Sequence, residues 1–173
     1  MKEKVVFFGS SEYVIPIIDV LNKQFNLVLV VTTEKFPTDP VIFYCSKHQI
    51  PYLSIQQFNN EAMKQLKNLK SNIAILADFG LLVPNHILNI FPQGILNIHP
   101  SLLPKYRGPT PVQTAILNGE KITGVTIIKL DSKIDHGPIL TQVKEEILPK
   151  DTAQSLYFRL FEIGAKILPE VID

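Results

Sequence analysis

The stretch "KVVFFGSSEYVIPIIDVLNKQFNLVLVVTT", Lys4 to Thr33, decides the fold. Val5 to Phe8 is an unbroken apolar run that stops at Gly9. Val14, Ile17, Ile18 and Leu21 then recur at helical spacing. Pro16 fits such a helix only near its first turn, where no intrahelical N–H is needed. A second run, "NLVLVVTT" (26–33), follows at once. A strand, a helix and a strand, with both strands apolar on both faces, predict a parallel sheet covered on both sides.

The same alternation continues outward. A helix is expected over Val41 to His48, a short strand at "PYLSI" (51–55) and an amphipathic helix at "NNEAMKQLKNLK" (59–70). "NIAILA" (72–77) and "GILNIH" (94–99) read as buried strands, with a short helix at "VPNHILNIF" (83–91) between them. Beyond them lie a helix over Pro111 to Leu117, strands at "GVTIIKL" (124–130) and "ILTQVKEEI" (139–147), and one final helix from Thr152 to Ile172. The short spacing of the last two strands allows a mixed sheet edge. The expected fold is α/β and Rossmann-like: a mostly parallel sheet, helices on both faces and a mixed edge. No internal repeat or linker interrupts the chain, so one domain is expected over residues 1–173.

Composition narrows the function classes. The chain has 173 residues, 46% of them hydrophobic, enough to bury a substantial core. Its formal net charge is +1, and acids and bases are mixed along it, so no basic stripe for nucleic acid is visible. Cys45 is the only cysteine, which excludes an internal disulfide. The amino terminus lacks the apolar stretch and small-residue cleavage site of a signal peptide. No apolar run approaches the roughly 20 residues that span a bilayer. These features predict a soluble, cytoplasmic protein with no membrane partner. "FFGSSEY" looks superficially like a dinucleotide-binding turn, but it offers one glycine where that fingerprint needs three.

The chemistry concentrates in "NIHPSLLPKYRGPTPVQ" (97–113). Asn97 and His99, two apart on a strand, point to the same side. They are expected at an exposed strand end, at the carboxyl edge where parallel sheets bind ligands. Pro100, Pro104, Pro109 and Pro111 stiffen the loop that follows and reduce the entropy lost in ordering it. Such stiffness suits a site whose groups must be held within a fraction of an ångström. The second half of the site is expected in "DSKIDHGPI" (131–139), where Asp135 could orient His99 or take up a proton. Taken alone, an Asn-x-His pair also fits turn capping, and Asp135 also fits a turn. Arg107 beside a glycine suits an anion but could be solvated. His48, His86 and His136 read as surface histidines, and Cys45 as a small buried apolar residue. Ser101 has no strand-turn-helix elbow around it, so it reads as a loop hydrogen bonder rather than a nucleophile. No metal-ligand spacing is present.

"NIHPSLLPKYRG" followed by "GVTIIKLDSKIDHGPIL" closely resembles the folate-dependent formyltransferase family. The likeness extends through "GSSEYVIPIIDVL" and "FGLLVP", and so covers nearly the whole chain. "KYRGPTPVQTAILNG" and "TGVTIIKLD" are most similar to the branch that formylates methionyl-tRNA. The resemblance implies transfer of a formyl group from 10-formyltetrahydrofolate to the amino group of methionyl-tRNA, without a metal. It implies Asn97, His99 and Asp135 as the catalytic set. It also implies folate contacts from Phe79, Gly80, Leu82, Val83, Ser101, Asp131 and Ile134, and acceptor contacts from Ser10, Arg107, Gly108 and Pro109. A sugar-nucleotide N-formyltransferase and a non-catalytic folate-binding module are the alternatives.

Two features depart from that branch. It usually carries a longer, glycine-rich basic loop after the second strand, where this chain has the short "TTEKFPTDPVIFY" (32–44). It also usually carries a C-terminal tRNA-binding barrel, which these 173 residues do not include. An acceptor held mainly by its 3′ end is the resulting expectation.

Overall fold

A computed structural model describes residues 2–172. The chain divides into two compact units, Met1–Leu96 and Asn97–Asp173. The first holds β1 (Lys4–Gly9), a 3-10 turn (Glu12–Val14), α1 (Ile15–Gln24), β2 (Asn26–Thr32), α2 (Pro40–His48), β3 (Tyr52–Ser54), α3 (Asn60–Leu69), β4 (Ile73–Ala77) and α4 (Asn85–Leu88). Strand β5 (Gly94–His99) runs from the first unit into the second. The second continues with α5 (Pro111–Leu117), β6 (Ile122–Lys129), β7 (Ile139–Glu146), α6 (Ala153–Ile167) and α7 (Pro169–Ile172).

In the first unit the strand order is β3-β2-β1-β4-β5. β1 pairs in parallel with β2 and β4, and β2 with β3. Val5, Val6, Phe7 and Phe8 are wholly buried. Successive strand residues face opposite ways, so both faces of β1 are covered. Phe8 meets Phe79 and Phe91 edge-on, at centroid distances of 5.4 and 6.1 Å. These are favourable aromatic geometries and they centre the core of this unit. α1 buries Ile17, Ile18 and Leu21, and Pro16 sits in its opening turn as the sequence predicts. α3 starts where Asn59 Oδ1 accepts from the Ala62 N–H (2.9 Å) and ends at Lys70 in the left-handed region.

The β2–α2 connection is held by one carboxylate. Glu34 Oε1 accepts from the Ser11 N–H (3.1 Å), and Oε2 accepts from the N–H groups of Val41 (2.8 Å) and Ile42 (3.1 Å). The last two belong to the first turn of α2, whose donors have no partner within the helix. Asp39, the residue just before α2, turns its carboxylate back instead, onto the N–H groups of Lys35 (2.9 Å) and Phe36 (3.0 Å).

In the second unit the order is β5-β6-β7, and β6 and β7 run antiparallel. The mixed edge is this pair. β6 is buried from Thr123 to Ile128, whereas β7 alternates half-buried and exposed residues, as an edge strand with one covered face should. α6 opens with a capping box between Thr152 and Ser155 and buries Leu156, Leu160, Phe161 and Ala165. It lies so close to β5 that a Cβ on Gly164 would sit 2.6 Å from Ile98 Cγ2. The single helix expected over 152–172 is in fact two, separated at Leu168. Pro169 has no N–H for the carbonyl four residues back, and its ring obstructs that turn.

Candidate active site

Asn97 and His99 stand at the carboxyl end of β5, on the same side through the two-residue repeat. They are not exposed as expected: only 6% of Asn97 and 4% of His99 is accessible. A buried amide and imidazole must be hydrogen-bonded, and the partners define the site. Asn97 Nδ2 donates to Asp135 Oδ1 at 3.0 Å. His99 Nδ1 lies 3.6 Å from Asp135 Oδ2, an ion-pair distance rather than a hydrogen bond. His99 Nε2 is 2.8 Å from the Tyr106 carbonyl oxygen. A carbonyl can only accept, so Nε2 carries a proton, and Nδ1 is the nitrogen left to gain or lose one.

Asp135 is fixed from the proline-rich loop. The Gly108 N–H donates to its Oδ2 (2.9 Å), and Arg107 Nε donates to its main-chain carbonyl (2.9 Å). Asp135 itself holds a left-handed φ of 47°, unusual for a residue with a side chain. The turn after it needs Gly137, because a Cβ there would fall 1.8 Å from the Lys129 carbonyl oxygen. The three residues expected to act together are therefore together, and Arg107 and Gly108 join them. Arg107 braces Asp135 through Nε, with its side chain at the surface.

The loop beneath is rigid for reasons beyond proline. The buried Ser101 hydroxyl donates to the Lys105 carbonyl (2.7 Å), which is the loop role read from the sequence. Thr126 Oγ1, buried on β6, donates to the Ser101 carbonyl (2.6 Å) and accepts from the Leu103 N–H (3.1 Å). Tyr106 and Thr126 were missed in the sequence. The signal for Thr126 was available, as a hydroxyl inside the apolar run "GVTIIKL". The role of Tyr106 is played by its backbone, which residue type does not announce.

The other expected residues take these places. Asp131 Oδ1 accepts from the Lys133 N–H (2.8 Å), and its Oδ2 lies 3.5 Å from His136 Nδ1. The hydrogen bond from the Lys133 amide holds the Asp131 carboxyl below its ordinary range; burial opposes it, and the His136 imidazole adds a lesser lowering. Ile134 and Pro109 are exposed. In the first unit, Phe79 is a buried core side chain, and its carbonyl oxygen lies 3.5 Å from both Ser10 Oγ and Thr33 Oγ1. Ser10 Oγ also bonds Thr33 Oγ1 (2.7 Å). Gly80 takes a φ of +80°, Leu82 is 74% exposed and Val83 is half-buried. Among the described residues no group of three or more His, Cys, Asp or Glu side chains could hold a metal ion. Nor is any helix there long and apolar enough to cross a membrane.

A half-buried carboxylate holding a buried amide and flanking a buried imidazole is the equipment of proton transfer and oxyanion stabilisation. The profile of the formyl transferase family matches residues 3–172 of the chain. This chain belongs to the formyl transferase family. It is 38% identical to methionyl-tRNA formyltransferase of Buchnera aphidicola subsp. Schizaphis graminum (strain Sg), over 96% of this chain and 56% of that protein. It is also 38% identical to methionyl-tRNA formyltransferase of Thermus thermophilus, over 98% of this chain and 59% of that protein. The chain thus spans little more than half the length of these curated relatives. Among solved structures, phosphoribosylglycinamide formyltransferase from Bacillus halodurans superposes with a TM-score of 0.83 at 28% identity, covering 98% of this chain and 93% of that one.

Proposed function

We propose that this chain transfers a formyl group from 10-formyltetrahydrofolate to the amino group of methionyl-tRNA. The observation that carries the chemistry is the convergence of buried Asn97 and His99 on the half-buried Asp135. The acceptor rests on the two methionyl-tRNA formyltransferases that match nearly all of this chain. Residues of "DFGLLVP" and of the Asp131–Asp135 stretch are proposed to contact the folate, and Ser10, Arg107, Gly108 and Pro109 the acceptor.

The reaction needs three things from the protein. The attacking amine must lose a proton, the carbonyl oxygen of the formyl group must be stabilised as it becomes an oxyanion, and both must be aligned. Asn97 has two N–H groups. One is spent on Asp135, which fixes the plane of the amide, and the other serves the oxyanion. His99 presents Nδ1, because Nε2 is committed to Tyr106. When protonated, Nδ1–H is a second donor to the oxyanion. The Asp135 carboxylate electrostatically supports that imidazolium and collects the amine's proton directly or through water. The tetrahedral adduct then collapses: the bond from the formyl carbon to N10 breaks, the proton taken from the amine is passed to N10, and tetrahydrofolate leaves, with no covalent intermediate on the enzyme.

The test is incubation of the chain with 10-formyltetrahydrofolate and, in parallel, methionyl-tRNA, a short aminoacylated acceptor stem and an amino sugar nucleotide. Formyl-methionine product from either RNA is expected. Product only from the amino sugar nucleotide would overturn the acceptor assignment, and no product from any of them would overturn the enzyme reading.

A further inference from the structure

Deepening the proposed function and resting on it, we infer that Glu120 is a positioning residue that, through Tyr106, dictates which nitrogen of His99 carries the fixed proton.

The inference starts from Tyr106. Its carbonyl is what captures the His99 Nε2–H, at 2.8 Å. To aim that carbonyl, Tyr106 holds a φ of 56°, in the left-handed region that a bulky side chain seldom enters. Such a conformation persists only where the surroundings over-determine it. The proline-rich loop offers no glycine at this position to make it easy.

The surroundings that hold it come from the turn between α5 and β6. Tyr106 Oη donates to Glu120 Oε1 at 2.6 Å, a short charge-assisted hydrogen bond. Lys105 Nζ donates to the same oxygen at 3.1 Å, and Asn118 Nδ2 donates to Tyr106 Oη at 3.3 Å. Glu120 therefore grips two consecutive residues of the loop, and Asn118 closes the cluster. The hydrogen bond from Tyr106 first, then the one from Lys105, keeps the Glu120 carboxyl below its ordinary range, so it is ionised wherever the site would operate.

The consequence reaches both catalytic partners. Arg107 and Gly108, the next two residues, hold Asp135 by its carbonyl and by Oδ2. Lys105 to Gly108 thus forms one short jig. One end sets the imidazole and the other sets the carboxylate; at the imidazole end Glu120 anchors the side chains, while the Ser101 hydroxyl donates to the Lys105 carbonyl (2.7 Å) and lies 3.5 Å from that of Tyr106. If the Glu120 anchor is released, only the long 3.5 Å contact from Ser101 Oγ still holds the Tyr106 carbonyl, which can then turn away. Nε2 then loses its acceptor, and the proton can redistribute to Nδ1, the nitrogen the reaction needs to load and unload. Glu120 lies outside the catalytic cluster and touches none of its three side chains in this network.

The experiment compares Glu120→Ala, Glu120→Gln and Tyr106→Phe in the full chain, with the unfolding temperature of each recorded. The readouts are the ¹⁵N shifts of the His99 ring, which report the tautomer, and kcat and KM measured separately. In the parent, His99 should show a protonated Nε2 at neutral pH. Glu120→Ala and Tyr106→Phe should mix the tautomers and lower kcat about ten-fold or more, with KM within about three-fold. Glu120→Gln keeps an oxygen for Tyr106 Oη and should restore most of both. Unchanged His99 shifts in folded Glu120→Ala and Tyr106→Phe would overturn the inference. A parent protein with the expected tautomer but no formyl transfer would overturn the proposed function and leave the positioning intact.

Discussion

The main-chain N–H of Gly108 donates to Asp135 Oδ2 at 2.9 Å, while Asn97 Nδ2 donates to the other oxygen, Oδ1, at 3.0 Å. Both oxygens of one carboxylate are thus taken by N–H donors from two different segments. The acid is a structural pin as well as a proposed reactive group, and these two duties can be separated by substitution.

Asp135→Asn keeps the shape but replaces one acceptor oxygen with an NH2 group. One of the two donors must then face another donor. Turnover is expected to fall by on the order of 100-fold, because the amide neither takes a proton nor supports imidazolium. Stability is expected to fall by about 1–3 kcal/mol through the unsatisfied buried donor. Urea unfolding and single-turnover kinetics on the same sample check both, and a variant that lost activity at unchanged stability would show that the pin is dispensable.

Asn97→Ala removes the proposed oxyanion donor and frees Asp135 Oδ1. A loss of roughly 100-fold or more in kcat is expected, the usual scale for one such donor. Folate binding, followed by fluorescence, should persist. A turnover within a few-fold of the parent would mean that the oxyanion is stabilised by some other group.

Cys45 is wholly buried, and burial first, with the Glu34 charge adding to it, pushes its thiol up to about 12. Thiolate is the reactive form. In the native protein at pH 8 a thiol reagent should therefore label Cys45 only as fast as the chain opens, and denaturant should release labelling at once. Prompt modification without denaturant would show that the α2 region is open in solution.

Asp151 gives a pH dependence whose sign follows from its surroundings. Its carboxylate accepts from Arg159 Nη1 (2.9 Å) and Nη2 (2.6 Å), from the Leu148 N–H (2.8 Å) and from Ser155 Oγ (2.9 Å). The Arg159 hydrogen bonds first hold its carboxyl far below the ordinary range. A folded-state value below the unfolded one stabilises the fold fully at pH above the unfolded value, about 3.9. That stability is lost as pH falls from there towards the folded value. Asp151→Asn should be less stable than the parent at pH 7, and the difference should shrink as pH drops below about 4. Thermal unfolding measured from pH 7 to pH 2 checks it; a difference that stayed constant would rule out the ion pair as its source.

Much of this was readable from the chain alone. Val5 to Phe8 and Leu27 to Val31 declare buried strands because nothing polar interrupts them, and the spacing of Asn97 and His99 puts them on one side whatever surrounds them. Other features are hidden for physical reasons. Burial of Asn97 and His99 depends on loops folding over a strand end, which no local pattern encodes. The Tyr106 carbonyl matters through a backbone angle that tyrosine does not favour. Glu34 looks like an ordinary loop acid until Ser11 and Val41 are seen to converge on it. The break at Pro169 was legible, but the apolar periodicity on either side masked it.

The Glu34 clamp has a consequence for loop exchange. Its carboxylate satisfies three amides on two segments, Ser11 on one side and Val41 and Ile42 on the other, using only a short connection. Loop length and that one acid are therefore a matched pair. A longer, basic connection transplanted between Thr33 and Pro40 would displace the acid and uncover the amides together. It would work only if it brought its own acceptor or left those N–H groups open to water or to an anion of the substrate. Change in this segment should thus come as a cassette, with the acid and the length traded in one step, because either one altered alone leaves donors stranded.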